Sequence, residues 1–277
     1  MLNLKTIVFI LFFSKCLFGY SQYWETGVYL GGSNYAGDLV DGTISLKETH
    51  PTFGAIVRYN INQWVTLKGD IYHGTISGKD ANSSKFVREQ RNLSFKSSVL
   101  DIGLQPEFNL RGYKSGHNYY NSSPYVFFGI SIFRFNPKAY YNGKWYALQP
   151  LCTEGQGTTK YNDREKYALT QVAIPFGFGW KYALNRNWNL GMELSARKTF
   201  TDYLDDVSSS YVPYDIILAQ YGDISAALSN RTGEVDPYQR EPFDASVDRG
   251  NSTTNDWYYF AGFWVTYSIL PNACYRF

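Results

Sequence analysis

Apolar and polar side chains alternate along this chain with a period of two. The alternation is cleanest over residues 188–199, where Leu190, Met192, Leu194 and Ala196 share one face and Gly191, Glu193, Ser195, Arg197 and Thr199 share the other. Successive side chains of a pleated backbone point to opposite sides, so this period predicts a strand. Seven further segments read the same way. Residues 23–33 place Thr26, Val28 and Leu30 opposite Glu25, Gly27 and Tyr29, and residues 53–60 place Phe53, Ala55, Val57 and Tyr59 opposite Arg58. Residues 64–73 set Val65, Leu67 and Ile71 against Thr66, Lys68, Asp70 and Tyr72. Residues 95–110 set Leu100, Ile102, Leu104, Pro106 and Phe108 against Asp101, Gly103, Gln105 and Glu107. Pro106 has no N–H to give a ladder, so it is expected near a strand end or at a bulge. Residues 125–135, 171–182 and 256–269 complete the set, each with one apolar face (Val126 to Ile132, Val172 to Tyr182, Trp257 to Tyr267). No amphipathic helix is long enough to cover a sheet, so the expected class is all-β.

Strands with one apolar face have two solutions. A soluble sandwich turns that face into a core, whereas a membrane barrel turns it to lipid and encloses the polar face. The connections favour the barrel. Long segments at residues 34–51, 74–93, 136–169 and 201–255 alternate with short turns after the second and sixth strands and an intermediate one at residues 111–124. Outer-membrane barrels carry short periplasmic turns and longer extracellular loops. The expected fold is therefore an eight-stranded antiparallel transmembrane β-barrel in the cell outer membrane, with both ends in the periplasm. At the start of the chain, Lys5, the apolar run at residues 7–13 and the small residues Gly19 and Ser21 read as a signal peptide over residues 1–21. Residues 22–277 remain as the barrel with a periplasmic tail. Cys16 offers a lipid anchor as an alternative, but Lys15 precedes it where a small residue is usual.

Composition bears on the choice of solvent. Twenty-five Tyr, 19 Phe and 7 Trp make 18% of the chain aromatic, yet mean hydropathy is −0.34. Aromatic girdles around a polar lumen give that combination, and so does a Tyr-rich secreted sandwich. A net charge of +2 gives no reason to expect nucleic acid.

The polar faces carry Arg58, Lys68, Asp70, Asp101, Glu107, Lys181, Glu193 and Arg197. They line either a channel or a closed ionic core. Eight strands leave an interior that side chains fill, which favours the core. No sequence pattern of a metalloprotease, a serine hydrolase or a calcium loop is present, and the three His residues are scattered, so no enzyme, cofactor or metal centre is expected. Asp202, Asp205 and Asp206 form an acidic group that reads either as a cation site or as a solvated loop entry. Cys152 falls in an extracellular loop and Cys274 in the periplasmic tail. A bilayer separates them, so they do not pair with each other. Cys274 is either an inert thiol or a link to a periplasmic partner.

Several stretches resemble a known family. YWETGVYLGGSNYAGDL, IPFGFGWKY, ELSARKTFTDYLDDVSSSY and the RGN and DWYYF runs before the last strand are similar to PorG, the small outer-membrane barrel of the type IX secretion system. The resemblance covers most of the mature chain, and TDYLDDVS is its most specific part. It implies a non-enzymatic component of the secretion machinery that links a periplasmic ring, built from the lipoprotein PorK and its partner PorN, to the outer membrane. The expected contacts are Arg111, Tyr113 and Lys114 in the thirteen-residue periplasmic turn, and Cys274, Tyr275, Arg276 and Phe277 in the tail. The alternative is a small passive porin-like or ligand-binding barrel, and a third reading is surface adhesion through the long loops.

Overall fold

The computed structural model describes residues 22–42, 45–235 and 247–270, so the expected signal peptide and the tail from Pro271 to Phe277 lie outside the described residues. The strands are β1 (Tyr23–Ala36), β2 (His50–Asn60), β3 (Val65–Lys79), β4 (Ser94–Asn109), β5 (Ser122–Phe128), β6 (Ile130–Arg134), β7 (Pro137–Tyr141), β8 (Lys144–Ala147), β9 (Thr170–Ala183), β10 (Trp188–Thr199) and β11 (Trp257–Ile269). β5 and β6 act as one wall strand interrupted at Gly129, since both pair with β4 on one side and β9 on the other. All wall pairings are antiparallel, and β11 returns to β1 through thirteen paired positions from Trp24–Ile269 to Ala36–Trp257. The ring is closed and has eight wall strands.

Side-chain parity follows the sequence. Val28, Leu30, Phe53, Ile71, Ile102, Leu104, Ile130, Met192, Leu194 and Phe263 point outward and are each about half exposed or more, at 48–69% of their surface. In water such a wall would be untenable; in hydrocarbon it is the matched surface. Trp24, Trp64, Tyr182, Trp188 and Tyr267 stand outward at the periplasmic ends of their strands and form an aromatic girdle. Closing the ring pairs every wall strand on both edges, the condition for taking a sheet through lipid. An eight-stranded barrel with this belt spans an outer membrane.

The inward face is tightly filled. Trp264, Tyr29, Tyr72, Tyr125, Phe127 and Phe260 are all buried in the lumen. Inward glycines make room for two of these rings. A Cβ on Gly191 would lie 2.3 Å from the Trp264 ring, and one on Gly179 would lie 2.5 Å from that of Tyr125. Pro106 sits outward, three residues before the end of β4, where its missing donor was expected to be tolerated.

The long loops carry secondary structure of their own. β7 and β8 form a hairpin that extends the wall upward from β4. Short helices α1 (Phe86–Arg91), α2 (Tyr214–Tyr221), α3 (Asp223–Ser229) and α4 (Thr232–Val235) fold over the extracellular mouth. Leu204, Val207 and Leu228 are buried there as a continuation of the lumen's apolar cluster, and Val212, Ile217 and Ala226 form a small core of their own.

Candidate functional site: a filled lumen and its two mouths

The mid-lumen holds the charges the alternation placed there. Glu107 is the hub. Its carboxylate accepts from Arg58 Nε at 3.1 Å and from Lys181 Nζ, and Lys68 Nζ stands 3.9 Å away. Glu193 takes both of its oxygens to Lys68 Nζ at 2.8 Å and also accepts from Tyr125 at 2.8 Å. Higher up, Asp101 accepts from Tyr258 and Ser131 and lies 3.6 Å from Arg197. Asp70 accepts from Gln105 at 2.8 Å and lies 3.4 Å from Lys68. Aromatic faces complete the cation shells, with the Arg58 guanidinium 4.0 Å from the Trp264 ring and Lys68 Nζ 4.2 Å from that of Phe127. All eight of these charged side chains are buried, so the closed-core alternative describes the lumen. Glu25 joins them lower down, accepting from Asn60 at 2.8 Å and Thr266 at 3.0 Å.

The periplasmic mouth is stoppered by the turn between β4 and β5. Gly112 and Gly116, both at φ +72°, bend this segment back under the barrel. The Tyr113 hydroxyl donates to Asn189 Oδ1 at 2.7 Å, Ser115 Oγ donates to the same atom at 2.8 Å, and the Ser115 N–H donates to the Tyr23 hydroxyl at 3.0 Å. Among the expected contact residues, Arg111 is exposed and Lys114 half-buried. Tyr113 is only 1% exposed, and its phenol is taken up within the chain. Alternation assigns no direction inside a turn, so the sequence offered no sign of this.

The extracellular mouth is covered by the TDYLDDVSSSY block. Asp202, Asp205 and Asp206 are at most 8% exposed, which corrects the solvated-loop reading. Asp205 and Asp206 also turn to different partners. Asp205 accepts from the Tyr35 hydroxyl, whereas Asp206 accepts from the Tyr167 hydroxyl at 2.6 Å and from Thr153. Among the described residues no group of three or more such side chains is placed to hold a metal ion. Burial pushes Asp202 up to about 7 and Asp206 up to about 6.

Two arginines tie the four extracellular loops together. Arg91 grips Asp80 through two hydrogen bonds of 2.7 Å and donates to the carbonyls of Asp38 and Arg249. Arg249 in turn donates to Glu154 at 3.0 Å. Glu154, fully buried, also accepts from the Ser208 and Ser209 N–H groups at 2.9 and 3.0 Å. Sequence reasoning missed Glu154, Arg91 and Arg249 altogether. Loop charges have no periodicity to betray them, although the density of Ser, Thr and Tyr around the Asp residues was a usable sign of side-chain bonding. Cys152 is buried in the same cap as a free thiol.

A family model described as "Domain of unknown function (DUF6089)" matches residues 4–228. The chain belongs to this family. The match runs through the signal-like start, the periplasmic stopper and the TDYLDDVS block. No curated protein matches the chain. Among solved structures, Ail of Yersinia pestis aligns at 8% identity and TM-score 0.43, covering 90% of this chain and 99% of that one. Neisserial surface protein A aligns at 9% identity and TM-score 0.41, covering 88% and 96%. The outer membrane protein OprG from Pseudomonas aeruginosa aligns at 8% and 0.41, covering 91% and 97%. Likenesses this distant say nothing of what the barrel does.

Proposed function

We propose that this barrel is a PorG-type component of the type IX secretion machinery, non-enzymatic, which holds the PorK and PorN ring at the outer membrane. The resemblance of the quoted blocks motivates the reading. The observation that carries it is the filled lumen with a folded segment across each mouth. A barrel built this way has no obvious path for solute, so its work falls to its surfaces. On the periplasmic side those surfaces are the turn bearing Arg111 and Lys114, which Tyr113 fixes in place, and the tail with Cys274, Tyr275, Arg276 and Phe277.

A pull-down from native membranes in mild detergent tests the reading, with PorK and PorN as the expected co-purifying chains. Deleting residues 272–277 is expected to release them from the barrel while its heat-modifiable gel migration stays that of the folded protein. Unchanged co-purification overturns the role of the tail, and absence of both partners from the wild-type complex overturns the reading itself. The passive-barrel alternative predicts discrete conductance steps in planar bilayers, where the filled lumen leads us to expect none.

A further inference from the structure

Above the apolar belt, one sector of the outer wall turns basic. On β4 the outward side chains run Ile102, Leu100, Ser98, Lys96 toward the extracellular end, and the facing segment runs Ile132, Arg134, Asn136, Lys138. Lys96 and Lys138 are directly opposed across the β4–β7 pairing. Like charges in that position repel unless an anion lies between them. Four residues of strand rise, on a wall tilted by about 40°, put Lys96 roughly 10 Å above Leu100, at head-group level.

The β7–β8 hairpin borders this place, where an open groove of about 340 Å³ is lined by Thr75, Lys96, Ser98, Asn136, Lys138 and Trp145. No carboxylate is among the lining residues. The groove thus offers two ammonium groups, two hydroxyls and an indole.

The geometry points to a binding site for the phosphorylated sugar head group of a glycolipid in the outer leaflet. The opposed Lys96 and Lys138 take the phosphate, which removes their mutual repulsion. The Thr75 and Ser98 hydroxyls hydrogen-bond the sugar hydroxyls, and Trp145 covers the apolar face of the ring. The acyl chains then descend along Leu100, Ile102 and Ile132, which already face hydrocarbon.

Native mass spectrometry of the full chain in detergent tests this, with diphosphorylated lipid A, its dephosphorylated form and free glucosamine phosphate as probes. Diphosphorylated lipid A is expected to bind the wild-type protein. Binding is expected to fall at least tenfold in the Lys96→Gln/Lys138→Gln double variant, fall in Trp145→Ala, and persist in Lys198→Gln, a basic outward position on β10. All three sets of changes are on exposed side chains, and heat-modifiable migration checks that each barrel is folded. Equal binding by the double variant overturns the proposal, as does an equal loss in Lys198→Gln, which would mean charge alone is read. Tight binding of free glucosamine phosphate overturns the lipid source, because the head group would then be taken from solution.

Discussion

Glu107→Gln is expected to lower the unfolding free energy of the barrel by about 3–5 kcal/mol, measured by urea denaturation in lipid vesicles. The change is nearly isosteric, so almost no packing is lost. What is lost is the charge that Arg58 and Lys181 are bonded to, with Lys68 close by, in a lumen sealed from solvent. Arg58 would then keep Glu193 at 3.9 Å, and Lys68 would keep Glu193 at 2.8 Å and Asp70 at 3.4 Å, whereas Lys181 would lose its ion pair with Glu107. Leaving buried charges uncompensated is what makes removal of one partner so much costlier than replacing a whole pair with apolar side chains. Glu107→Gln combined with Lys181→Met should therefore recover part of the loss, because it removes one of the cations that Glu107 neutralises. A single-variant loss below about 1 kcal/mol would mean that water reaches the site and screens it. That result would reopen the conducting alternative, so the same measurement bears on structure and function together.

The wall was legible in the sequence because a pleated strand in lipid leaves each residue only two choices. Glu193 and Arg197 had to face inward once Leu190, Met192 and Leu194 faced out, and one register slip would reverse every such assignment. The same logic placed Arg58, Lys68 and Glu107 on inward faces, where all three are buried. The mouths were illegible for a complementary reason. Tyr113 reaches Asn189 across 76 positions, and Arg249 reaches Glu154 across 95. Neither contact leaves a local trace, since each depends on how glycine turns and loop lengths fold segments back over the ring. The acidic block was misread as solvated because Asp, Ser and Tyr are common in exposed loops. Their burial becomes possible only when each oxygen finds a donor, as Glu154 does with two backbone amides and an arginine.

The extracellular cap is expected to be tighter at pH 5 than at pH 8, the reverse of ordinary acid loosening, with hydrogen exchange over residues 200–235 and 247–256 as the measurement. Geometry gives the reason. The Tyr35 hydroxyl lies 2.5 Å from Asp205 Oδ2 and 3.1 Å from Asp256 Oδ1. A phenol has one proton to donate, so it satisfies one carboxylate, and the second must bring a proton of its own. The other charges facing this pair are Asp38 and Asp202, and the nearest cations are engaged elsewhere: Arg91 with Asp80, Arg88 with Asp41, Arg249 with Glu154. Burial, reinforced by these neighbouring carboxylates, pushes Asp205 and Asp256 well above the ordinary range, while burial raises Asp202 to about 7 and Asp206 to about 6. A carboxyl whose folded value is raised stabilises the fold fully below its unfolded value near 4, and that contribution is lost as pH rises through the folded value. Between the two values each such group shifts the local opening equilibrium by up to about tenfold per pH unit. Asp205→Asn should flatten the profile and protect the cap at pH 8. The new amide can donate to the Tyr35 oxygen, which then donates to Asp256, while its carbonyl keeps the Val207 N–H bonded at Oδ1. Exchange that is slower at pH 8 than at pH 5, after correction for intrinsic rates, or a variant that opens more readily at pH 8, would refute the shared-proton arrangement.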